Sequence, residues 1–253
     1  MPRTYVITGS ASGIGQATRL LLESQGHRVI GVDLADAEII ADLATSSGRA
    51  ALVDGVRANT DGRLDAVIAS AGVGHETPET IQVNYFGAVA TIEGLRPLLA
   101  QGTDPRAALL SSVASLLPVN QAVVDACLAD EEEPAVIAAK EAAGQVYASS
   151  KAALARWIRR TAVSEEWASA GIPLNAVAPG LIVTPMMEPH LAIDEVREML
   201  DQALPMPLGG HGRPEQVAEL IAWLASPQNS MITGQVIFID GGTDAMIRRD
   251  STW

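Results

Sequence analysis

A chain of 253 residues, 48% of them hydrophobic, carries enough apolar material for one sizeable α/β core. Its 17 basic against 30 acidic residues give a net charge of −13, which argues against nucleic acid or another polyanion as a partner and for a protein kept apart by charge. Cys127 is the single cysteine, which excludes an intrachain disulfide, and no apolar run approaches the ~18 residues of a membrane span, since Leu109–Val124 is broken by serines, Pro118 and Asn120.

The opening Met1-Pro2-Arg3 lacks the apolar core of a signal peptide, so a reduced cytoplasm is the expected location. Thr4–Thr8, β-branched and aromatic and closed by Gly9, predicts a short buried strand. Gly13–Gln25 follows with Ile14, Ala17, Leu20, Leu21 and Leu22 near helical spacing, and Gly26 ends it. Further short strands are predicted at Val29–Val32, Ile39–Ala41, Leu64–Ser70, Ala107–Ser111, Pro173–Val177 and Gln235–Ile239. Helices are predicted at Gly48–Ala58, Thr80–Gln101, Tyr147–Ala170 and Pro214–Ala225. Strands this short and this apolar suit a parallel sheet buried on both faces. Their alternation with helices predicts a single α/β domain with a doubly wound parallel sheet of the Rossmann type.

Two segments break the alternation. Residues 113–146 hold a helix-like Gln121–Ala129, an acidic turn Asp130–Glu133 that reads as solvated, Pro134 at a helix start, and Ala135–Ala143. Residues 185–212 mix prolines with Met186, Met187, Leu191, Met199, Leu204 and Met206. The first predicts a helical insertion and the second a loop covering substrate, because long excursions over strand ends are where recognition concentrates.

Tyr147-Ala148-Ser149-Ser150-Lys151 carries the chemistry. On a helix, positions i and i+4 share a face, so the Lys151 ammonium stands near the Tyr147 phenol and is expected to favour the phenolate. Tyr147 then becomes a candidate acid/base; an ordinary Tyr and Lys on a solvated helix is the plain alternative. Gly9-Ser10-Ala11-Ser12-Gly13-Ile14-Gly15 lies where the first strand passes into the first helix, where backbone N–H groups and the helix dipole favour a pyrophosphate. Its Gly-x-x-x-Gly-x-Gly spacing departs from the usual Gly-x-Gly-x-x-Gly. Asp33 ends the second strand 18 positions after Gly15, close to the ~20 expected of a ribose-binding carboxylate. It would repel a 2′-phosphate, and no Lys or Arg lies between Gly9 and Gly15, so NAD is expected over NADP. Asp42, followed by Leu43, is placed either to meet adenine or to cap the next helix. His27, His75, His190 and His211 are scattered without metal-ligand spacing, so no metal is expected.

The glycine turn, Ala69-Ser70-Ala71-Gly72, Asn84, Ser111-Ser112, Tyr147-x-x-x-Lys151, and Asn175-Ala176-Val177-Ala178-Pro179-Gly180 with Thr184 together resemble the short-chain dehydrogenase/reductase family over essentially the whole chain. Ala69 and Ser70 replace the two asparagines of the family's Asn-Asn-Ala-Gly, which leaves one strand-end hydrogen bond in question. The resemblance implies that Tyr147 is the acid/base, that Lys151 binds the nicotinamide ribose and lowers the Tyr147 pKa, and that Ser112, rather than Ser111, holds the substrate oxygen. It implies that Asn84 holds a water of a proton relay. Gly9, Ser12, Gly13, Ile14, Gly15, Asp33, Asp42, Leu43, Ala71 and Gly72 would bind the dinucleotide, and Pro179, Gly180, Ile182 and Thr184 its nicotinamide end.

Ser112 and Tyr147 are 35 positions apart, whereas a short link in the family needs roughly a dozen. In this, in Val83-Asn84-Tyr85-Phe86-Gly87 and in Asp240-Gly241-Gly242-Thr243-Asp244-Ala245, the chain is similar to the hydroxysteroid dehydrogenase/carbonyl reductase group of the family. An apolar secondary alcohol or ketone, a hydroxysteroid or similar ring compound, is the implied substrate under a Met- and Leu-rich lid; those residues could equally pack the loop onto its own protein. A smaller alicyclic or terpenoid alcohol or a dihydrodiol, or a non-catalytic NAD-binding redox sensor, are the competing readings. A homodimer or homotetramer is implied, and the insertion is expected to block the helical face through which many relatives pair.

Overall fold

The computed structural model describes residues 1–251. Seven strands, β1 (Thr4–Thr8), β2 (Arg28–Asp33), β3 (Ile39–Ile40), β4 (Ala66–Ala69), β5 (Arg106–Leu110), β6 (Leu174–Pro179) and β7 (Val236–Ile239), form one sheet in the order β3-β2-β1-β4-β5-β6-β7. Every pair is parallel, with Val6 beside Ile30 on one side and Val67 on the other. Strand order reverses between β1 and β4, the position at which doubly wound sheets open a crevice at their carboxyl ends.

The helices are α1 (Gly13–Ser24), α2 (Ser46–Ala58), α3 (Pro78–Ile81), α4 (Ala88–Leu99), α5 (Gln121–Leu128), α6 (Glu132–Glu141), α7 (Val146–Thr161), α8 (Glu188–Leu191), α9 (Asp194–Ala203), α10 (Pro214–Leu224) and α11 (Thr243–Arg248). One apolar core gathers Tyr5, Ile7, Leu22, Ile68, Val177, Val217 and Ile221 under α1 and α10. The larger core, on the opposite face, gathers Val6, Leu52, Val67, Leu95, Leu109 and Leu154. The α5–α6 insertion belongs to this second core: Val123, Val124, Cys127, Ala135 and Ala139 are buried in it. It is a structural layer of the domain.

Three expectations change. The helix predicted over Thr80–Gln101 begins at Pro78, ends at Leu99, and is interrupted by a π turn over Gln82–Gly87 that carries Asn84. The helix predicted over Tyr147–Ala170 stops at Thr161, because Ser164 is extended (φ −73°, ψ 168°) and a second π turn, Glu165–Ser169, drives Trp167 into the core, where its indole N–H donates to Glu93 Oε1 at 3.2 Å. Pro134 is the third residue of α6 rather than its start, a position that requires no N–H donor.

The acidic turn is also more than solvated. Glu132 grips Arg49 through two hydrogen bonds of 2.6 and 2.7 Å and accepts a third from Gln82 at 3.3 Å, tying the insertion to α2 and the π turn. The Arg49 guanidinium also donates to the Leu43 and Ala44 carbonyls and lies over the Phe86 ring. The hydrogen bonds from Arg49 hold the Glu132 carboxyl below its ordinary value. Its contribution is therefore complete above the unfolded carboxylate pKa of about 4.3 and is lost as pH falls through the lower folded value. Glu132→Ala is expected to lower the free energy of unfolding by about 1 kcal/mol at pH 7. Urea unfolding at pH 7 and pH 3 checks this: the gap between variant and parent should close at the acid end.

Candidate active site

The crevice begins at the turn between β1 and α1. A Cβ on Gly15 would stand 2.0 Å from the Gly9 carbonyl oxygen, and one on Gly9 2.8 Å from Ala71 Cα, so only glycine lets α1 start this close to β1 and β4. Gly9 has φ +68°, the left-handed conformation that side chains resist. Asp33 buttresses the same turn: its carboxylate accepts from Ala11 N at 2.9 Å and from Leu34 N at 2.7 Å. Ser10 Oγ is buried beneath the turn and has no hydrogen-bond partner among the described residues. The strand-end bond left in question by Ala69 and Ser70 is supplied from β1, where Thr8 Oγ1 accepts from Ser70 N and Ala71 N, both at 3.1 Å.

At the end of β5 the two adjacent serines part company. Ser111 Oγ donates to the Lys151 carbonyl at 3.0 Å and is occupied in holding α7. Ser112 Oγ accepts from Ala114 N at 3.1 Å and lies close enough to the Tyr147 phenol to act on its pKa. Lys151 Nζ donates to the Leu110 carbonyl at 3.0 Å and lies 5.7 Å from the centre of the Tyr147 ring.

The expected depression of the Tyr147 phenol by Lys151 is absent. Burial raises the phenol above its ordinary value, because a phenolate there would lose water, and only the Ser112 hydroxyl pulls the other way. Burial also lowers the Lys151 ammonium from 10.5 to about 8, which brings its titration close to neutral pH while leaving it mostly charged at pH 7. The two shifts have opposite signs and part the pair, the phenol rising above its ordinary value and the ammonium falling below it, through desolvation rather than through ion pairing.

Asn84 is fully buried on the π turn. Its Oδ1 accepts from Val73 N at 2.8 Å, and its Nδ2 donates to the Val73 carbonyl at 3.0 Å and to Ser150 Oγ at 3.2 Å. The side chain thereby clamps the loop that follows β4, with one lone pair of Oδ1 uncommitted among the described residues.

A cavity of about 380 Å³ joins these parts. Ser12, Gly13, Ile14, Ala71, Gly72, Ser112, Tyr147, Lys151, Pro179, Gly180, Ile182 and Thr184 all line it, with Gly9 and Gly15 at its base. Asp33, Asp42, Leu43 and Asn84 do not. Asp33 stands behind the turn as described; Asp42 Oδ1 accepts from Ala44 N at 2.9 Å at the approach to α2, and the Leu43 side chain is in the core. The lid serves both roles expected for it: Leu200, Leu204, Met187 and Met206 pack on Val113, Leu181 and Phe238, and Leu200, Leu204 and Met187 line the cavity as well, together with Met186 and Met199, which are 40% and 59% exposed. Glu76 and His190 also line it and were missed. His190 falls inside the flagged lid; Glu76 stands in a loop whose sequence has no periodicity to mark it. Among the described residues no group of three His, Cys, Asp or Glu could hold a metal ion, and no helix is long and apolar enough to cross a membrane.

A parallel sheet with a glycine cradle at its switch point and a Ser–Tyr–Lys cluster across the crevice defines a nicotinamide-dependent oxidoreductase. The chain belongs to the short-chain dehydrogenase/reductase family: residues 3–126 match the short chain dehydrogenase model and residues 135–244 that of enoyl-(acyl carrier protein) reductase. It is 38% identical to the 3-alpha-hydroxysteroid dehydrogenase/carbonyl reductase of Comamonas testosteroni over 96% of this chain and 97% of that one. It is 32% identical, over 96% and 97%, to the cis-4-hydroxycyclohexanecarboxylate dehydrogenase of Sinomonas cyclohexanicum. The crystal structure of the 3-alpha-hydroxysteroid dehydrogenase from Pseudomonas sp. B-0831 complexed with NADH superimposes with a TM-score of 0.90 at 40% identity, covering 98% of this chain and 99% of that one.

The buried ammonium of Lys151 weakens the fold where it is charged. Its folded pKa lies below the unfolded one, so the penalty is full below pH 8 and is relieved as pH rises from about 8 toward 10.4. Lys151→Met is expected to raise the melting temperature of the cofactor-free protein at pH 7 and to lose that advantage by pH 10, measured by thermal melts across the pH range.

Proposed function

We propose that the protein is an NAD-dependent dehydrogenase interconverting a secondary alcohol and a ketone on an apolar cyclic substrate of hydroxysteroid type. The observation that carries this is the single cavity in which Ser112, Tyr147 and Lys151 face both the glycine turn and the methionine-rich lid. The residues fit a dinucleotide: Gly9, Gly13 and Gly15 present bare backbone to the cavity, and α1 presents its N-terminus to it. When bound, the nicotinamide supplies the hydride acceptor or donor.

Ser112 and Tyr147 then hold the substrate oxygen between two hydroxyls, and the Tyr147 phenol takes up or gives the proton as charge develops on that oxygen. Lys151, whose pKa burial lowers to about 8, can exchange a proton near neutral pH and would hold the nicotinamide ribose. The uncommitted lone pair of Asn84 Oδ1 is available to a relay water beside it. Asp33, with Leu34 beyond it and no cation in the turn, favours a ribose diol over a 2′-phosphate. Apolar residues of the lid exclude water from the reacting centre. The relative that acts on a cyclohexane carboxylic acid supports a smaller alicyclic alcohol as the second reading. A homodimer or homotetramer using a face away from α5 and α6 accompanies this reading.

Purified protein mixed with a 3α-hydroxysteroid is expected to reduce NAD, and NADP far less, followed by absorbance of the reduced nicotinamide. An inert steroid with an active alicyclic alcohol would select the second reading. Tyr147→Phe should cost about 10²–10⁴-fold in kcat while sparing NADH binding; undiminished turnover would remove Tyr147 from the chemistry. Asp33→Ala should weaken NAD by about 10-fold or more and narrow its advantage over NADP, read from kcat/KM for each.

A further inference from the structure

The catalytic helix α7 starts without a cap of its own. Gln145 precedes it with no side-chain hydrogen bond to its first turn, yet that turn carries Tyr147 as its second residue. Helix ends leave N–H groups without partners and fray first, so an uncapped start would leave the phenol loosely placed. The cap arrives from another element. Glu76, on the loop between β4 and α3, accepts from Val146 N through Oε2 at 2.7 Å and from Tyr147 N through Oε1 at 3.4 Å. A carboxylate at this position also complements the positive end of the helix dipole.

The loop that presents Glu76 is itself held at two points. Asn84 grips both backbone groups of Val73, and Thr80 Oγ1 donates to the His75 carbonyl at 2.5 Å. A continuous set of hydrogen bonds thus runs from the π turn, through the loop, to the backbone of Tyr147. Glu76 is exposed to solvent and lines the cavity, so no apolar burial accounts for its place there.

We infer that Glu76 is a positioning residue, which fixes the Tyr147 phenol against Ser112 by clasping the first two N–H groups of α7. The inference rests on the acid/base role proposed for Tyr147. A displacement of about 1 Å at a reacting group can cost on the order of 10²-fold in rate, and such a loss falls on kcat rather than on binding.

Glu76→Ala, Glu76→Gln and Tyr147→Phe are compared at 25 °C with NAD and the best alcohol substrate, each checked for folding by thermal melt. Glu76→Ala is expected to lower kcat by about 10–100-fold, with the dissociation constant for NADH within about threefold of the parent and a larger isotope effect from alcohol deuterated at the carbinol carbon. Glu76→Gln retains an amide oxygen for the Val146 N–H and should recover kcat to within about threefold. Should Glu76→Ala not fold, Glu76→Asp, which withdraws the oxygens by one methylene, is held to the same expectation. A lowered melting temperature with kcat unchanged would overturn the inference, as would a Gln variant no better than the Ala variant. If Tyr147→Phe is inactive while Glu76→Ala is normal, the inference about Glu76 fails alone; if Tyr147→Phe turns over normally, the acid/base reading fails with it.

Discussion

Two hydrogen bonds running in opposite senses between the end of β5 and Lys151 hold the reactive end of this molecule together. The ammonium donates to the Leu110 carbonyl, and the next residue, Ser111, donates its hydroxyl back to the Lys151 carbonyl, each at 3.0 Å. They join residues 40 and 41 positions apart and fix both the rotation and the height of α7 against the sheet. One turn back along α7 lies Tyr147; one residue on along the chain from β5 lies Ser112. Their meeting follows from the register of strand and helix. The arrangement requires a lysine that is 5% exposed, and a buried ammonium costs stability, which is why burial lowers its pKa so far. Catalytic readiness and stability pull in opposite directions at this residue.

Much of this was legible in the chain. The strands reveal themselves because a parallel sheet covered on both faces demands short apolar runs, and the glycine turn because only glycine tolerates the close approach of Gly15 to Gly9. Tyr147 and Lys151 are legible because helical periodicity alone stacks them. What escaped falls where local pattern is silent. The break after Thr161 comes from a tertiary demand, the burial of Trp167, inside a segment whose composition reads as helix throughout. Glu132 looked like one acid in a solvated run, and only the fold brings Arg49 to it across 83 positions. Glu76 acts across 70 positions. The direction of the Tyr147 shift was misjudged for a related reason: proximity of a cation is visible in sequence, whereas depth of burial, the larger cause, is not.

The insertion and the lid reach their positions by contrasting means. In α5 and α6, alanines, valines and Cys127 are placed in the main core, and the Glu132–Arg49 latch closes the outer end. That layer stands or falls with the sheet. By contrast, α9 has no buried residue of its own and is held mainly through Leu200 and, just beyond its end, Leu204, which pack on Val113 and Leu181. With so few apolar contacts, the cost of lifting it falls well below that of unfolding the domain.

The cavity under the lid is therefore rigid on one wall and yielding on the other. Glu76 and the serines at the end of β5 define the rigid wall, with Asn84 behind it, through hydrogen bonds whose geometry leaves little freedom. Methionine supplies the yielding wall, because its unbranched, polarizable side chain fills irregular gaps without a fixed shape. Division of labour follows: the Ser–Tyr–Lys cluster is placed by the hydrogen-bonded wall, and the outline of a bound molecule is accommodated by the other. A site so divided keeps one arrangement of hydroxyls and ammonium while its lid adapts to bound molecules of different size, so differences among ligands should be governed by lid residues such as Met186 and Met199 and not by the Ser–Tyr–Lys cluster.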